Sequence, residues 1–258
     1  MNALRDALLR GRRRPRNTGA GSPTLYRGDG YEFVELREYV PGDDIRRIDW
    51  AATARSGELQ TRVVLEDVAL TMAAILDTSN SMQSGRRRPL LESAREIVDT
   101  WFDAAHAGDR CYRILADDVV APWAIGRAEA FALVDACRLA AAALRPGSAL
   151  LVVSDFFEIP GDDELLVLLG RRFDCTAMVA LDPWRDDLPL SGFVRVEDAE
   201  SAARTKLFIG EAERRRYKAA VRQREAQLME RLSEANWRSA FFDEDDGGDA
   251  LLRAFALQ

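Results

Sequence analysis

Apolar and polar positions along the chain alternate between two rhythms. Residues Val68 to Leu76 are apolar apart from one threonine, the pattern of a strand buried on both faces of a parallel sheet. After Pro89, apolar residues Leu90, Leu91, Ala94, Ile97, Val98, Trp101, Phe102 and Ala105 recur at three/four spacing, which predicts a helix with one buried face. Cys111 to Ala116 and Val119 to Ile125 read as paired strands, and Glu129 to Leu144 as an alanine-rich helix stopped at Pro146-Gly147. Ala149 to Val153 is a second short buried strand, ending in Ser154-Asp155. Beyond it the pattern predicts a helix from about Asp163 to Phe173, a strand from Thr176 to Leu181 and a hairpin from Phe193 to Ile209. A long charged helix follows (Glu211 to Asn236, buried stripe Tyr217, Val221, Leu228 and Leu232), then a strand from Arg238 to Phe242 and a final helix after Gly247-Gly248. Strands alternating with helices make a doubly wound α/β fold with a mostly parallel sheet.

Upstream, residues Tyr26 to Glu66 carry short β-like pieces separated by turn signals at Gly28-Asp29-Gly30 and Val40-Pro41-Gly42-Asp43-Asp44. We expect a basic flexible arm over 1–25, a small β-rich element over 26–67 and the α/β domain over 68–258. The arm contains Arg5, Arg10, Arg12, Arg13, Arg14 and Arg16, followed by a Gly/Ser/Pro/Asn stretch from Asn17 to Pro23 that is expected to be disordered. An arginine arm offers an electrostatic contact to an acidic partner, nucleic acid or membrane surface, or is a solvated tail.

With 258 residues, 47% of them hydrophobic, the chain can build a proper core. A formal charge of −7 argues against a nucleic-acid-binding surface on the molecule as a whole. Three widely spaced cysteines (Cys111, Cys137, Cys175) suggest neither a disulfide framework nor a zinc site. No run approaches the roughly 20 apolar residues of a membrane span, and the N-terminal apolar run is too short for a signal peptide. These features together give the expectation of a cytoplasmic protein. The single histidine, His106, reads as a surface residue near a helix end, and makes a Ser-His-Asp triad improbable.

Chemistry concentrates in Leu76-Asp77-Thr78-Ser79-Asn80-Ser81. Positions i, i+2 and i+4 of an extended turn project to one side, so Asp77, Ser79 and Ser81 would converge on one cation at the carboxyl end of their strand. Oxygen-only ligands favour magnesium, manganese or calcium over zinc. The plainer alternative is an Asx-type turn and helix cap. Asp155 ends a second core strand at the same edge, where ligands gather in open α/β sheets. Two strand ends, each delivering a carboxylate, point to a metal site more strongly than the short motif does.

Asp77-Thr78-Ser79-Asn80-Ser81 resembles the metal-ion-dependent adhesion site of von Willebrand factor A domains, and Val152-Val153-Ser154-Asp155 resembles the strand that brings its second aspartate. Gly30-Tyr31-Glu32-Phe33, Leu36-Arg37-Glu38-Tyr39, the run Pro41 to Trp50 and Ala54-Arg55 are similar to the signature of the bacterial family catalogued as domain of unknown function number fifty-eight. The resemblance implies a non-enzymatic partner or substrate adaptor of a MoxR-type AAA+ ATPase, acting in assembly or maturation of other proteins. It further implies that the Ser79 and Ser81 hydroxyls bind magnesium directly, with Asp77 and Asp155 holding it directly or through water. A client's acidic residue would then fill the open position.

One departure stands out. The adhesion site usually takes a threonine from the segment that is here Gly126-Arg127-Ala128-Glu129, which has no hydroxyl. Either Glu129 or water completes the shell, or Arg127 replaces the ion's charge. Asp43, Asp44, Arg46, Arg47 and Asp49 would form a docking surface for the partner; alternatively they pair locally while Ile45, Ile48 and Trp50 pack inward. Arg86-Arg87-Arg88 reads as solvated charge, or as a patch steering an acidic partner. The competing function is a metal-dependent phosphoester hydrolase using Asp77 and Asp155, which lacks a histidine base and any phosphate-binding glycine motif.

Overall fold

The structure, a computed structural model, describes residues 3–13, 31–40, 45–66, 69–115, 117–122, 131–157, 163–197 and 204–257. It divides into two compact units: residues 15–69, and residues 1–14 together with 70–258. In the larger unit the elements are α1 (Ala3–Arg13), then, beyond the smaller unit, β3 (Thr71–Leu76), α3 (Leu90–Asp103), β4 (Arg110–Ile114), β5 (Val119–Val120) and α4 (Leu133–Ala143). They continue with β6 (Ala149–Ser154), α5 (Glu164–Arg172), β7 (Asp174–Ala180), β8 (Gly192–Glu197), β9 (Arg204–Ile209), α6 (Glu211–Glu234), β10 (Arg238–Phe242) and α7 (Gly248–Ala254). The smaller unit holds β1 (Tyr31–Glu38), α2 (Trp50–Ser56) and β2 (Gln60–Glu66).

Six strands form the main sheet in the order β10-β7-β6-β3-β4-β5. All neighbours run parallel except β5, which pairs antiparallel with β4. Counted within the sheet this is the 3-2-1-4-5-6 order of doubly wound folds, and its order reverses between β3 and β6. The fold is α/β and doubly wound, with the mostly parallel sheet that the hydrophobic rhythm led us to expect. Alternate side chains serve two cores. Met72, Ala74 and Leu76 of β3 and Leu151 and Val153 of β6 join α3, α7 and α1 on one face. Ala73, Ile75, Leu150 and Val152 join α4, α5 and α6 on the other. Continuous apolar strands are what burial on both faces demands. Cys137 and Cys175 lie in that second core, where burial pushes the Cys137 thiol up to about 12.

Two expectations need correction. The supposed flexible arm is helical where it is described: α1 buries Leu4 and Leu8 and packs near β7. Arg5, far from solvated, forms a buried ion pair with Asp109 at 3.0 Å, the two side chains 5% and 0% exposed. Asp109 also accepts the backbone N–H of Leu70 at 2.7 Å and of His106 at 2.8 Å, tying α1 to the starts of β3 and β4. Residues 14–30 lie outside the described segments. In α6 the buried stripe is completed by Glu225; Leu228 and Leu232 are buried, whereas Tyr217 and Val221 are only half-buried. Phe193 to Ile209 forms the expected hairpin, and among the described residues β8 and β9 pair only with each other.

In the smaller unit β1 and β2 pair antiparallel, with an irregularity between Phe33 and Glu35. Asp49 caps α2, its carboxylate accepting the N–H of Ala52 at 3.0 Å, and the helix ends at Gly57, whose φ of 81° suits glycine. Ile48 is buried, but Ile45 (68% exposed) and Trp50 (67%) do not pack inward. No described helix is long and apolar enough to cross a membrane.

Candidate functional site

β3 and β6 lie side by side with Leu76 opposite Val153, so the segments leaving their carboxyl ends emerge together at the switch point of the sheet. Asp77 and Asp155 are both buried there. Asp77 is fixed from two sides: its Oδ1 accepts the Ser79 N–H at 2.8 Å, and its Oδ2 accepts the Ser154 hydroxyl at 2.6 Å. Its own N–H continues the ladder to the Val153 carbonyl at 2.9 Å. Ser154 Oγ in turn accepts the Phe156 N–H at 2.8 Å, so a single fully buried hydroxyl links the two strand ends.

The chain then turns sharply. Ser79 Oγ and Ser81 Oγ stand 3.0 Å apart, and the Ser81 hydroxyl hydrogen-bonds the Asp155 carboxylate. Asp155 Oδ1 also accepts the Phe157 N–H at 3.0 Å. Burial raises the Asp155 carboxyl above its usual range, with the Asp77 charge adding to it; the Phe157 N–H, Ser81 and the Arg224 charge pull the other way. The four residues named from the sequence are therefore brought together, and the Asx-type turn is present within the same loop.

The donor set fits a small hard cation. Magnesium takes oxygens at about 2.0–2.1 Å in an octahedron, whose edge is then about 2.9 Å. The 3.0 Å between the two serine oxygens is a hydrogen-bond distance that is also compatible with that edge. No cluster of three or more His, Cys, Asp or Glu side chains suited to a metal occurs among the described residues, so any ion here would rely on hydroxyls. Arg127 and Glu129, the residues proposed to complete the shell, lie outside the described segments.

Several supporting residues gave no signal in the sequence. Arg224 of α6 donates to the Asp155 carbonyl at 2.6 Å and stacks its guanidinium 3.5 Å from the centroid of the exposed Phe157 ring. Phe156, between them, is buried with a left-handed φ of 56°, a conformation that non-glycine residues rarely adopt. On the other side Glu244, buried, accepts the backbone N–H groups of both Arg86 and Arg87, the latter at 2.9 Å.

The Arg86-Arg87-Arg88 run is therefore not simply solvated. Arg88 donates to the Glu244 carbonyl and pairs with Glu96, Arg87 pairs with Asp245, and Arg86 lies over the Trp184 ring. A methyl group on Gly85 would stand 1.9 Å from the Arg88 carbonyl oxygen. Gly85→Ala is accordingly expected to displace this loop and destabilise the chain by about 1–3 kcal/mol, visible as a lower thermal midpoint.

Of the proposed docking residues, Asp43 and Asp44 lie outside the described segments and nothing is said of the Arg47 side chain. Arg46 is exposed, and Asp49 is occupied as the α2 cap.

Comparison with known proteins agrees with the family resemblance seen in the sequence. Uncharacterized proteins of Mycobacterium bovis (Mb1516) and Mycobacterium tuberculosis (Rv1480) are each 28% identical over 202 residues, covering 69% of this chain. This chain spans 63% of the length of either relative. Among solved structures, the conserved hypothetical protein BatB from Bacteroides thetaiotaomicron is 13% identical, with a TM-score of 0.40 over 73% of this chain and 98% of its own. An aerotolerance-related membrane protein from Bacteroides fragilis is 17% identical, with a TM-score of 0.35 over 65% of this chain and 100% of its own. The family model described as "Protein of unknown function DUF58" matches residues 35–143 and 127–227, which takes in both units and the Asp77 and Asp155 loops. On that match the chain belongs to the DUF58 family.

Proposed function

We propose that the chain is a non-enzymatic protein-interaction module whose Asp77-Ser79-Ser81-Asp155 site holds magnesium and engages an acidic side chain of a partner. The observation that carries this reading is the convergence of the Ser79 and Ser81 hydroxyls, 3.0 Å apart, with two buried carboxylates at the sheet's switch point. In this reading Ser79 and Ser81 present their hydroxyl oxygens to the ion. Asp77, whose two oxygens each already accept one hydrogen bond, balances its charge from behind. Ser154 keeps the Asp77 carboxylate aimed, and Phe157 N–H and Arg224 hold the Asp155 turn in place. When bound, magnesium supplies an open coordination position for a carboxylate oxygen from another protein.

Membership of the family supports a MoxR-type AAA+ ATPase as the partner, with the chain presenting clients to it. The test measures capture of a purified MoxR-type ATPase by the full chain in magnesium and in chelator, beside Mn2+ titration of the chain alone. Asp77→Ala and Ser79→Ala are expected to weaken both by at least about tenfold. Capture indifferent to metal and to both substitutions would remove the bridging mechanism. Metal-dependent cleavage of a model phosphodiester, lost in the same variants, would favour a hydrolase instead.

A further inference from the structure

The β8–β9 hairpin pairs with no other strand among the described residues. Two strands alone are marginal in water, and each leaves an outer edge of unpaired backbone groups. Its composition is unusual for a solvated ribbon. Phe193 and Phe208 face each other across the register, 89% and 56% exposed, with ring centroids 5.1 Å apart in an edge-on arrangement. One pair further along on the same face, Arg195 stands opposite Lys206, and neither has an ion-pair partner among the described residues. On the opposite face Val196 and Leu207 are also exposed. Because the strands are antiparallel, both edges carry the same code: an aromatic ring and, two residues away on one face, a cation.

The hairpin is rooted at the carboxyl end of β7, the same edge of the sheet as Asp77 and Asp155. Its root is held against α6. The Tyr217 hydroxyl donates to Asp182, Arg185 approaches the buried Glu225 at 3.5 Å, and Arg222 reaches Asp186 at 3.2 Å. Ile209, the last residue of β9, is buried, so the ribbon is anchored at its base while its faces remain exposed.

We propose that this hairpin is a strand-addition site for an extended segment of the partner protein in which an acidic residue lies two positions from a large apolar one. A third strand would satisfy one open edge and give the ribbon the strand number that independent stability requires. Side chains of an added strand alternate between faces. Its acidic residue therefore falls beside Arg195 or Lys206, its apolar residue beside Phe193 or Phe208, and the intervening residue on the Val196–Leu207 face. Arg195 and Lys206 select an acidic segment over a neutral one. This rests on the proposed partner-binding role, and gives that partner a second point of attachment beside the Asp77 loop.

The test uses the full isotope-labelled chain and synthetic ten-residue peptides, one repeating apolar and glutamate positions at this spacing and one with lysine in place of glutamate. We expect the acidic peptide to shift amide resonances at 193–196 and 205–208, to lose affinity with added salt, and to bind at least about tenfold more weakly to Arg195→Glu/Lys206→Glu and to Phe193→Ser. The lysine peptide is expected not to bind. With chelator present throughout, so that no metal at the Asp77 loop can take the peptide's carboxylates, Asp77→Ala should leave peptide binding unchanged, and a failure of the magnesium site shows separately from a failure of the hairpin. Three results would overturn the proposal: equal binding of both peptides, concentration-dependent self-association abolished by Phe193→Ser, or binding to anionic phospholipid vesicles in place of the acidic peptide.

Discussion

Asp109→Ala is expected to cost the α/β unit about 3–5 kcal/mol, the penalty for removing one member of a buried ion pair. Three groups depend on that carboxylate: the Arg5 guanidinium at 3.0 Å and the backbone N–H groups of Leu70 and His106 at 2.7 and 2.8 Å. Removing it takes the same carboxylate partner from all three. At roughly 2–4 °C per kcal/mol for a chain of this size, the thermal midpoint should fall by about 10 °C. Arg5→Met is expected to cost less, because Asp109 keeps both backbone donors and the methionine fills much of the same volume. A double-mutant cycle between Arg5→Met and Asp109→Asn isolates the ion pair from the backbone contacts. A loss below about 1 kcal/mol for Asp109→Ala would show that α1 is not held by this carboxylate.

Glu244→Ala is the second large effect. Its carboxylate accepts the N–H groups of Arg86 and Arg87, and hydrogen bonds to a charged acceptor contribute about 1.5–3 kcal/mol each. We expect a loss of about 3 kcal/mol, with Glu244→Gln intermediate because an amide supplies only one acceptor atom. The loop affected runs directly from the candidate site: Ser84 donates its hydroxyl to the Ser81 carbonyl at 2.6 Å, and Leu90 N–H closes onto the Ser84 carbonyl at 2.9 Å. Releasing it should therefore also weaken magnesium-dependent partner binding, by about tenfold. Stability lost without any change in that binding would separate the loop's structural role from the site.

Such couplings mark the boundary of what the sequence reveals. β3 and β6 were legible because burial on both faces leaves an unbroken apolar run, and α3 because its three/four spacing repeats over four turns. The Asp77-Ser79-Ser81 loop was legible for the same reason: it follows immediately after such a run. The docking of α1 was not, since its arginines overwhelm two leucines in any local reading, and the group that neutralises Arg5 lies 104 residues away. Glu244 stands in an acidic run, Asp243 to Asp246, that looks solvated until two backbone donors from 157 and 158 residues earlier are brought to it. Arg224 is one arginine among many on a charged helix, and only the register of α6 against the Asp155 turn distinguishes it.

The placement of α1 also has a consequence for synthesis. This helix docks near β7, whose residues are translated roughly 160 positions later. At about 5–20 residues per second, that interval lasts on the order of ten to thirty seconds. Throughout it, Leu4 and Leu8, buried in the finished unit, lack the strand that α1 packs beside, while residues 15–69 and the first strands of the sheet are made. The docking of α1 thus waits on a strand made long after the helix itself.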